Sequence, residues 1–236
     1  MKTTPYNRLT RLLRRIASRN KTTPTASKKK GKDRKEGKYR DIIAAEYLQK
    51  RAHLPDWHEE TLILGHLISQ LPNQLEVLDI PFGTGRFMPL YASKLFRVKG
   101  MDISSDMLEI AQAYNRPDIA KFQAITGDAT DLPLADSSID LVVSYRFLGY
   151  ILTVERAKLA IRELVRITRS YVILQLQYLK DGEQTGQQDK LGDKLTWPEQ
   201  EEFLKSLNLE IMERIDTFSK DQYQNTILLA RKSPIN

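Results

Sequence analysis

The stretch Leu75-Glu76-Val77-Leu78-Asp79-Ile80-Pro81-Phe82-Gly83-Thr84-Gly85-Arg86-Phe87 constrains the fold more than any other part of the chain. A short apolar run ends in an acid, a turn with two glycines follows, and apolar residues resume at helical spacing (Phe87, Leu90, Tyr91, Leu95). A strand that passes through a glycine turn into a helix offers backbone N–H groups and the positive helix end to a ligand. Glycine suits such a turn because a Cβ would oppose both a positive φ and close approach of the ligand.

Three further apolar runs follow. Arg97-Val98-Lys99-Gly100-Met101-Asp102 ends in an acid seventeen residues after Gly85. Phe122-Gln123-Ala124-Ile125-Thr126 leads into Gly127-Asp128-Ala129, and Ile139-Asp140-Leu141-Val142-Val143-Ser144 comes after a turn-rich segment. In a βαβ nucleotide site, an acid at the tip of the second strand accepts hydrogen bonds from the ribose hydroxyls. Three acids at the carboxyl ends of three successive strands lie where ligands bind in an open parallel sheet.

With these residues the chain resembles the class I S-adenosylmethionine-dependent methyltransferases of the broad small-molecule kind. The resemblance rests on Val77 to Gly85, Met101 to Leu108 and Gly127 to Pro133, and extends over roughly residues 40–231. It departs from the usual pattern at Pro81, where the family commonly has glycine. Proline fixes φ near −65° and removes an N–H, so Gly83 and Gly85 must shape the turn. The resemblance implies a Rossmann-like α/β fold: a seven-stranded, mostly parallel sheet with helices on both faces, an antiparallel last strand and a small N-terminal helical lid. It implies S-adenosylmethionine as cofactor, held by Asp79, Pro81, Gly83, Gly85, Asp102, Ile103, Met107, Asp128, Ala129 and Ser144. Within that set Asp79 would orient the methionine ammonium, Asp102 the ribose, and Asp128 with Ala129 the adenine edge, while Ile103 and Met107 pack on the ring. Tyr47 and Arg51, four apart on the lid, are candidates for the methionine carboxylate. Tyr145, Arg146 and Tyr150, beyond the fourth strand, are the candidates for holding substrate; Phe147 reads as packing.

Composition removes several other chemistries. The 236-residue chain has no cysteine, which excludes disulfides, thiolate metal sites and cysteine nucleophiles. His53, His58 and His66 lie close together without carboxylates at metal-ligand spacing, so no metal site is expected; His53 and His58 are read as lying in an inter-helix turn. No apolar run approaches the length of a membrane span. Charge is divided unevenly. Residues 1–40 carry 15 Lys/Arg against Asp33 and Glu36, leaving 22 basic and 28 acidic groups in residues 41–236. A mildly acidic domain gives no strong case for nucleic acid, which needs clustered Lys/Arg.

The sequence is therefore expected to divide into a basic amphipathic helix and disordered linker over residues 1–38, and, as the resemblance implies, a class I methyltransferase domain over residues 39–236. Leu9, Leu12, Leu13 and Ile16 share a helical face with arginines filling the rest, a pattern that fits peripheral contact with an anionic membrane through residues 1–20. It also fits a transit peptide over residues 1–30 directing the chain to the mitochondrial matrix; otherwise the location is cytoplasmic, with possible membrane association.

In the remainder, helices are expected over Trp57–Leu71 and Glu155–Arg169, and from a Thr196 cap to about Leu207. A strand is expected over Tyr171–Tyr178, a loop over Asp181–Lys194, and a hairpin of Leu209–Phe218 with Gln224–Ala230. The expected function is methyl transfer to a small-molecule or lipid-like acceptor. The alternatives are a non-catalytic adaptor acting through the basic arm and an NAD-dependent oxidoreductase, whose fingerprint lacks an acid before the glycines.

Overall fold

A computed structural model describes residues 54–114, 122–180, 194–220 and 222–233. The expectations for the basic arm, for Tyr47, Arg51 and His53, and for most of the 181–194 loop lie outside the described residues. The described chain opens with helix α1 (Pro55–Ser69), followed by β1 (Glu76–Asp79), α2 (Met88–Ser93), β2 (Arg97–Asp102), α3 (Ser105–Tyr114) and β3 (Phe122–Thr126). Then come β4 (Ile139–Ser144), α4 (Val154–Ile167), β5 (Thr168–Leu179), α5 (Trp197–Ser206), β6 (Leu209–Lys220) and β7 (Tyr223–Lys232). The seven strands form one sheet in the order β3-β2-β1-β4-β5-β7-β6.

Strands β1 to β5 run parallel, and β7 enters antiparallel between β5 and β6. β1 has β2 on one side and β4 on the other, so the order of connection reverses beside it. Such a switch point opens a crevice beyond the strand ends. The central strands are apolar runs with no exposed position, as a sheet covered on both faces requires. On one face, Leu64, Leu67 and Ile68 of α1 pack with Met88, Tyr91 and Leu108 over Val77, Leu141 and Ile173. On the other, Ala160, Ile161 and Leu164 of α4 and Leu204 of α5 cover Leu78, Val142 and Val172.

Several boundaries differ from expectation for local reasons. The helix after the glycine turn stops at Ser93 because the chain reverses at Leu95, which takes φ 57° and lies exposed before feeding β2. α4 ends at Ile167 rather than Arg169. Thr168 is already extended, with its hydroxyl donating to the Leu164 carbonyl at 2.6 Å, and its pairing with Ile139 starts β5 there. The hairpin turn narrows because pairing continues to Lys220↔Tyr223. His58 sits within α1 on its exposed side, since Pro55 at the first turn starts the helix earlier.

Candidate active site

The tips of the parallel strands are tied together by backbone hydrogen bonds. The Ile80 N–H donates to Val143 O (2.9 Å), Phe82 N–H to Met101 O (2.7 Å) and Gly127 N–H to Asp102 O (3.2 Å). The Phe82 ring lies over Gly100 of β2; a Cβ at Gly100 would approach it to 2.6 Å. This close approach seats the glycine turn on the second strand. Gly83 and Gly85 take φ 55° and 67°, and the Ile80–Pro81 peptide is cis. A Cβ on Gly83 would meet nothing within 4 Å, so the glycine face is open to a ligand.

Asp79 and Asp102, at the ends of β1 and β2, are both buried. The Tyr91 hydroxyl donates to Asp79 Oδ2 at 3.0 Å. Burial pushes the Asp79 carboxyl up to about 8, against the lowering effects of the Tyr91 hydrogen bond and the nearby Arg86 charge. The Asp102 carboxylate receives Gly83 N–H on Oδ2 and Ser104 N–H on Oδ1, each at 2.9 Å. Its carboxyl is also raised, by burial first, with the backbone donors opposing. A carboxylate offers about four acceptor directions, so these bonds and a third backbone contact from Ile103 leave room for a further donor. Asp128 lies just past β3. Its Oδ1 accepts from Thr130 N–H and Oγ1 (both 2.8 Å), and Arg156 reaches Oδ2 at 3.4 Å.

Around these acids, Met107 and Ala129 are buried and Ile103 is exposed. Ser144 at the end of β4 is fully buried. Tyr145 packs edge-on against Phe87, ring centroids 5.1 Å apart, and burial raises its hydroxyl well above the ordinary phenol range. Arg146 takes φ 54°; its Nε donates to Glu60 Oε2 (2.8 Å) and its Nη2 to Asp56 Oδ2 (2.6 Å). Its guanidinium is therefore held by α1. Tyr150 is raised by burial, with Glu60 and Asp56 adding to the effect and Arg146 opposing it. Phe147 packs against the core, as its apolar setting predicts.

Sequence reasoning missed the group that gathers these residues. Glu60 lies on the apolar face of α1 with Trp57, Leu64 and Leu67 and is 3% exposed. It accepts from Arg86 Nη2 (2.6 Å), Arg146 Nε (2.8 Å) and Gln175 Nε2 (2.8 Å). A carboxylate at an apolar helical position and a glutamine inside the apolar run of β5 were the available signals.

Among the described residues, four buried side-chain atoms have no hydrogen-bond partner: Arg86 Nη1, Ser144 Oγ, Tyr145 OH and Gln200 Oε1. The first three come from the glycine turn and the β4 exit. Orphaned buried polar atoms are rare because each costs about 1–3 kcal/mol. Three of the four belong to the glycine turn and the end of β4, near the carboxyl ends of the strands that carry the acids, and suit a polar ligand with several heteroatoms. An apolar recess lined by Leu148, Leu152, Ile161, Leu176 and Phe203 lies between α4 and α5 and includes none of the three acids.

Comparison with known proteins agrees with the fold. The model of a methyltransferase domain matches residues 77–170, from β1 into the start of β5. The chain carries a class I S-adenosylmethionine-dependent methyltransferase domain. It is similar to the malonyl-[acyl-carrier protein] O-methyltransferase of Pectobacterium atrosepticum, with 35% identity over 108 residues, 46% of this chain and 40% of the relative. It is also similar to the demethylmenaquinone methyltransferase of Renibacterium salmoninarum, with 37% identity over 103 residues, 43% of this chain and 40% of the relative. The chain thus covers about two fifths of the length of these curated relatives. Among solved structures, the magnesium protoporphyrin IX methyltransferase of Synechocystis PCC 6803 shares the fold. Its TM-score is 0.60 at 18% identity, over 89% of this chain and 100% of that one. The [4+2]-cyclase SpnF shares it too, with a TM-score of 0.59 at 17% identity over 72% of this chain and 80% of that one. The methyltransferase fold is therefore not tied to a single reaction.

Proposed function

We propose that the chain transfers the methyl group of S-adenosylmethionine to a small-molecule or lipid-like acceptor. The observation that carries this reading is the pair of buried carboxylates, Asp79 and Asp102, at adjacent strand tips beside an open glycine turn. Asp102 would accept from the ribose hydroxyls. Asp79, otherwise driven toward its neutral form by burial, has use for a cation and would take the methionine ammonium. Gly83 and Gly85 shape the turn and allow close approach of the methionine portion, with Pro81 just ahead of them. Ile103 and Met107 would flank the adenine, Asp128 and Ala129 its edge, and Ser144 would offer its orphaned hydroxyl. When bound, the cofactor supplies a methyl group already activated on a sulfonium.

The chain's own task is then orientation and exclusion of water, which can lower a barrier by roughly 7–11 kcal/mol. No fixed catalytic base is required for that. Tyr145 and Tyr150 remain the substrate-side candidates, whereas Arg146 would act from a place set by Glu60 and Asp56. The relatives named for malonyl-[acyl-carrier protein] and demethylmenaquinone support an acceptor that is small or carried on a larger group. Among the described residues no helix is long and apolar enough to cross a membrane. The basic arm suits contact with an anionic membrane surface, in keeping with a lipid-like acceptor. Incubating the full chain and cell extract with radiolabelled S-adenosylmethionine, followed by mass spectrometry of the labelled product, tests the assignment. A labelled product supports it, and an adaptor would label nothing.

A further inference from the structure

The Glu60 network is more elaborate than folding needs. Replacing buried ion pairs by apolar residues of similar size is often neutral or stabilising, yet α1 sets Asp56 and Glu60 one turn apart against two arginines. Arg86 is held by one ion pair and two aromatic rings. Its Nη2 donates to Glu60 at 2.6 Å, and its guanidinium carbon lies 4.0 Å from the Trp57 ring centroid and 4.2 Å from that of Phe87. The side chain is 10% exposed, and Nη1 is buried without a hydrogen-bond partner. The same guanidinium is electrostatically close to Asp79, Tyr91 and Tyr145. The guanidinium therefore lies among the groups at the strand tips. Guanidinium presents its donors in a rigid fork, so holding Nη2 fixes the direction of Nη1.

We propose that Glu60 is a positioning residue that orients Arg86 so that Nη1 receives a carboxylate of the bound ligand. The inference rests on the methyl-transfer reading. The carboxylate belongs either to the amino-acid end of the methyl donor or to the acceptor, and the chemistry at Nη1 is the same for both. Gln175 completes the device: its amide N–H donates to Glu60 while its Oε1 accepts the Arg146 N–H at 2.8 Å. One side chain on α1 thus fixes groups from the glycine turn, the β4 exit and β5.

Calorimetry on the full chain with three probes tests this: S-adenosylhomocysteine, methylthioadenosine, which lacks the amino-acid end, and malonate added to the S-adenosylhomocysteine complex. The variants are Arg86→Gln and Glu60→Gln, with thermal melts alongside. If the donor supplies the carboxylate, Arg86→Gln weakens S-adenosylhomocysteine about 10- to 100-fold and leaves methylthioadenosine within about twofold. If the acceptor supplies it, both nucleosides bind as to wild type and malonate binding is lost. Glu60→Gln follows the same pattern to a smaller extent. Should Glu60→Gln not fold, Arg86→Gln decides alone, since it leaves Glu60 with Arg146 and Gln175. Equal weakening of both nucleosides, or wild-type behaviour on all three probes, overturns the inference while methyl transfer stands. Wild type binding neither nucleoside overturns both readings.

Discussion

Asp79→Asn gives the sharpest test of the site's electrostatics. The folded carboxyl titrates at about 8, against an unfolded value of about 3.9. Between those values the folded state binds one proton more than the unfolded state, so stability falls as pH rises. The slope for one proton is about 1.4 kcal/mol per pH unit. Below the window both states are protonated and above it both are ionised, so the slope disappears at either end. Asparagine cannot ionise, matches the neutral acid in shape, and its amide oxygen can still accept from Tyr91. The variant should therefore gain on the wild type by about 3 kcal/mol between pH 5 and pH 7. Urea unfolding of both proteins at pH 5, 6 and 7 measures the difference directly. Asp102, also raised by burial, is present in both, so its contribution largely cancels. A difference that stays constant across the three pH values would show that Asp79 is ionised in the folded protein, and the reasoning would fail.

The same logic reaches ligand binding. An ammonium beside Asp79 favours the ionised form, so S-adenosylhomocysteine should bind wild type more tightly from pH 6 toward pH 8, by up to about tenfold per unit. Asp79→Asn should bind it weakly with no such dependence, as calorimetry at several pH values would reveal. Gly100→Ala places a Cβ 2.6 Å from the Phe82 ring; overpacking of this kind should cost about 1–3 kcal/mol in urea unfolding and loosen ligand binding with it. Thr153→Ala removes the oxygen that caps α4 at the Arg156 N–H. It should lower stability by about 1 kcal/mol while leaving S-adenosylhomocysteine affinity unchanged, and lost affinity would place that end of α4 in the ligand site. Deleting residues 1–38 should reduce co-sedimentation with anionic vesicles without affecting nucleoside binding; unchanged sedimentation removes the membrane role of the arm.

The alternation of strands and helices was legible because each apolar run is bounded by glycine, proline or a polar turn. That Asp79 and Asp102 each end a strand could be read from the acid closing each run. The order of the sheet was not written in any local pattern; the family resemblance implied only seven mostly parallel strands with an antiparallel last one, and the fold has these. Helix ends were misread where a single residue changed conformation, as at Leu95 and Thr168. Glu60 escaped notice for a different reason. Its partners lie 26, 86 and 115 residues away in sequence, and periodicity reports only which face a side chain occupies, not what meets it there. Arg146 was read only as a candidate for holding substrate for the same reason, since Glu60 and Asp56 lie 86 and 90 residues away.

The four-residue β1 has consequences beyond the site it carries. It is bonded along both edges and covered on both sides, so its amides can reach solvent only when the whole domain opens. Val77 and Leu78 should be among the last to exchange hydrogen for deuterium. A ligand gripped at Asp79 would then protect the entire domain against opening, and occupancy of the crevice would set how long the protein survives a protease.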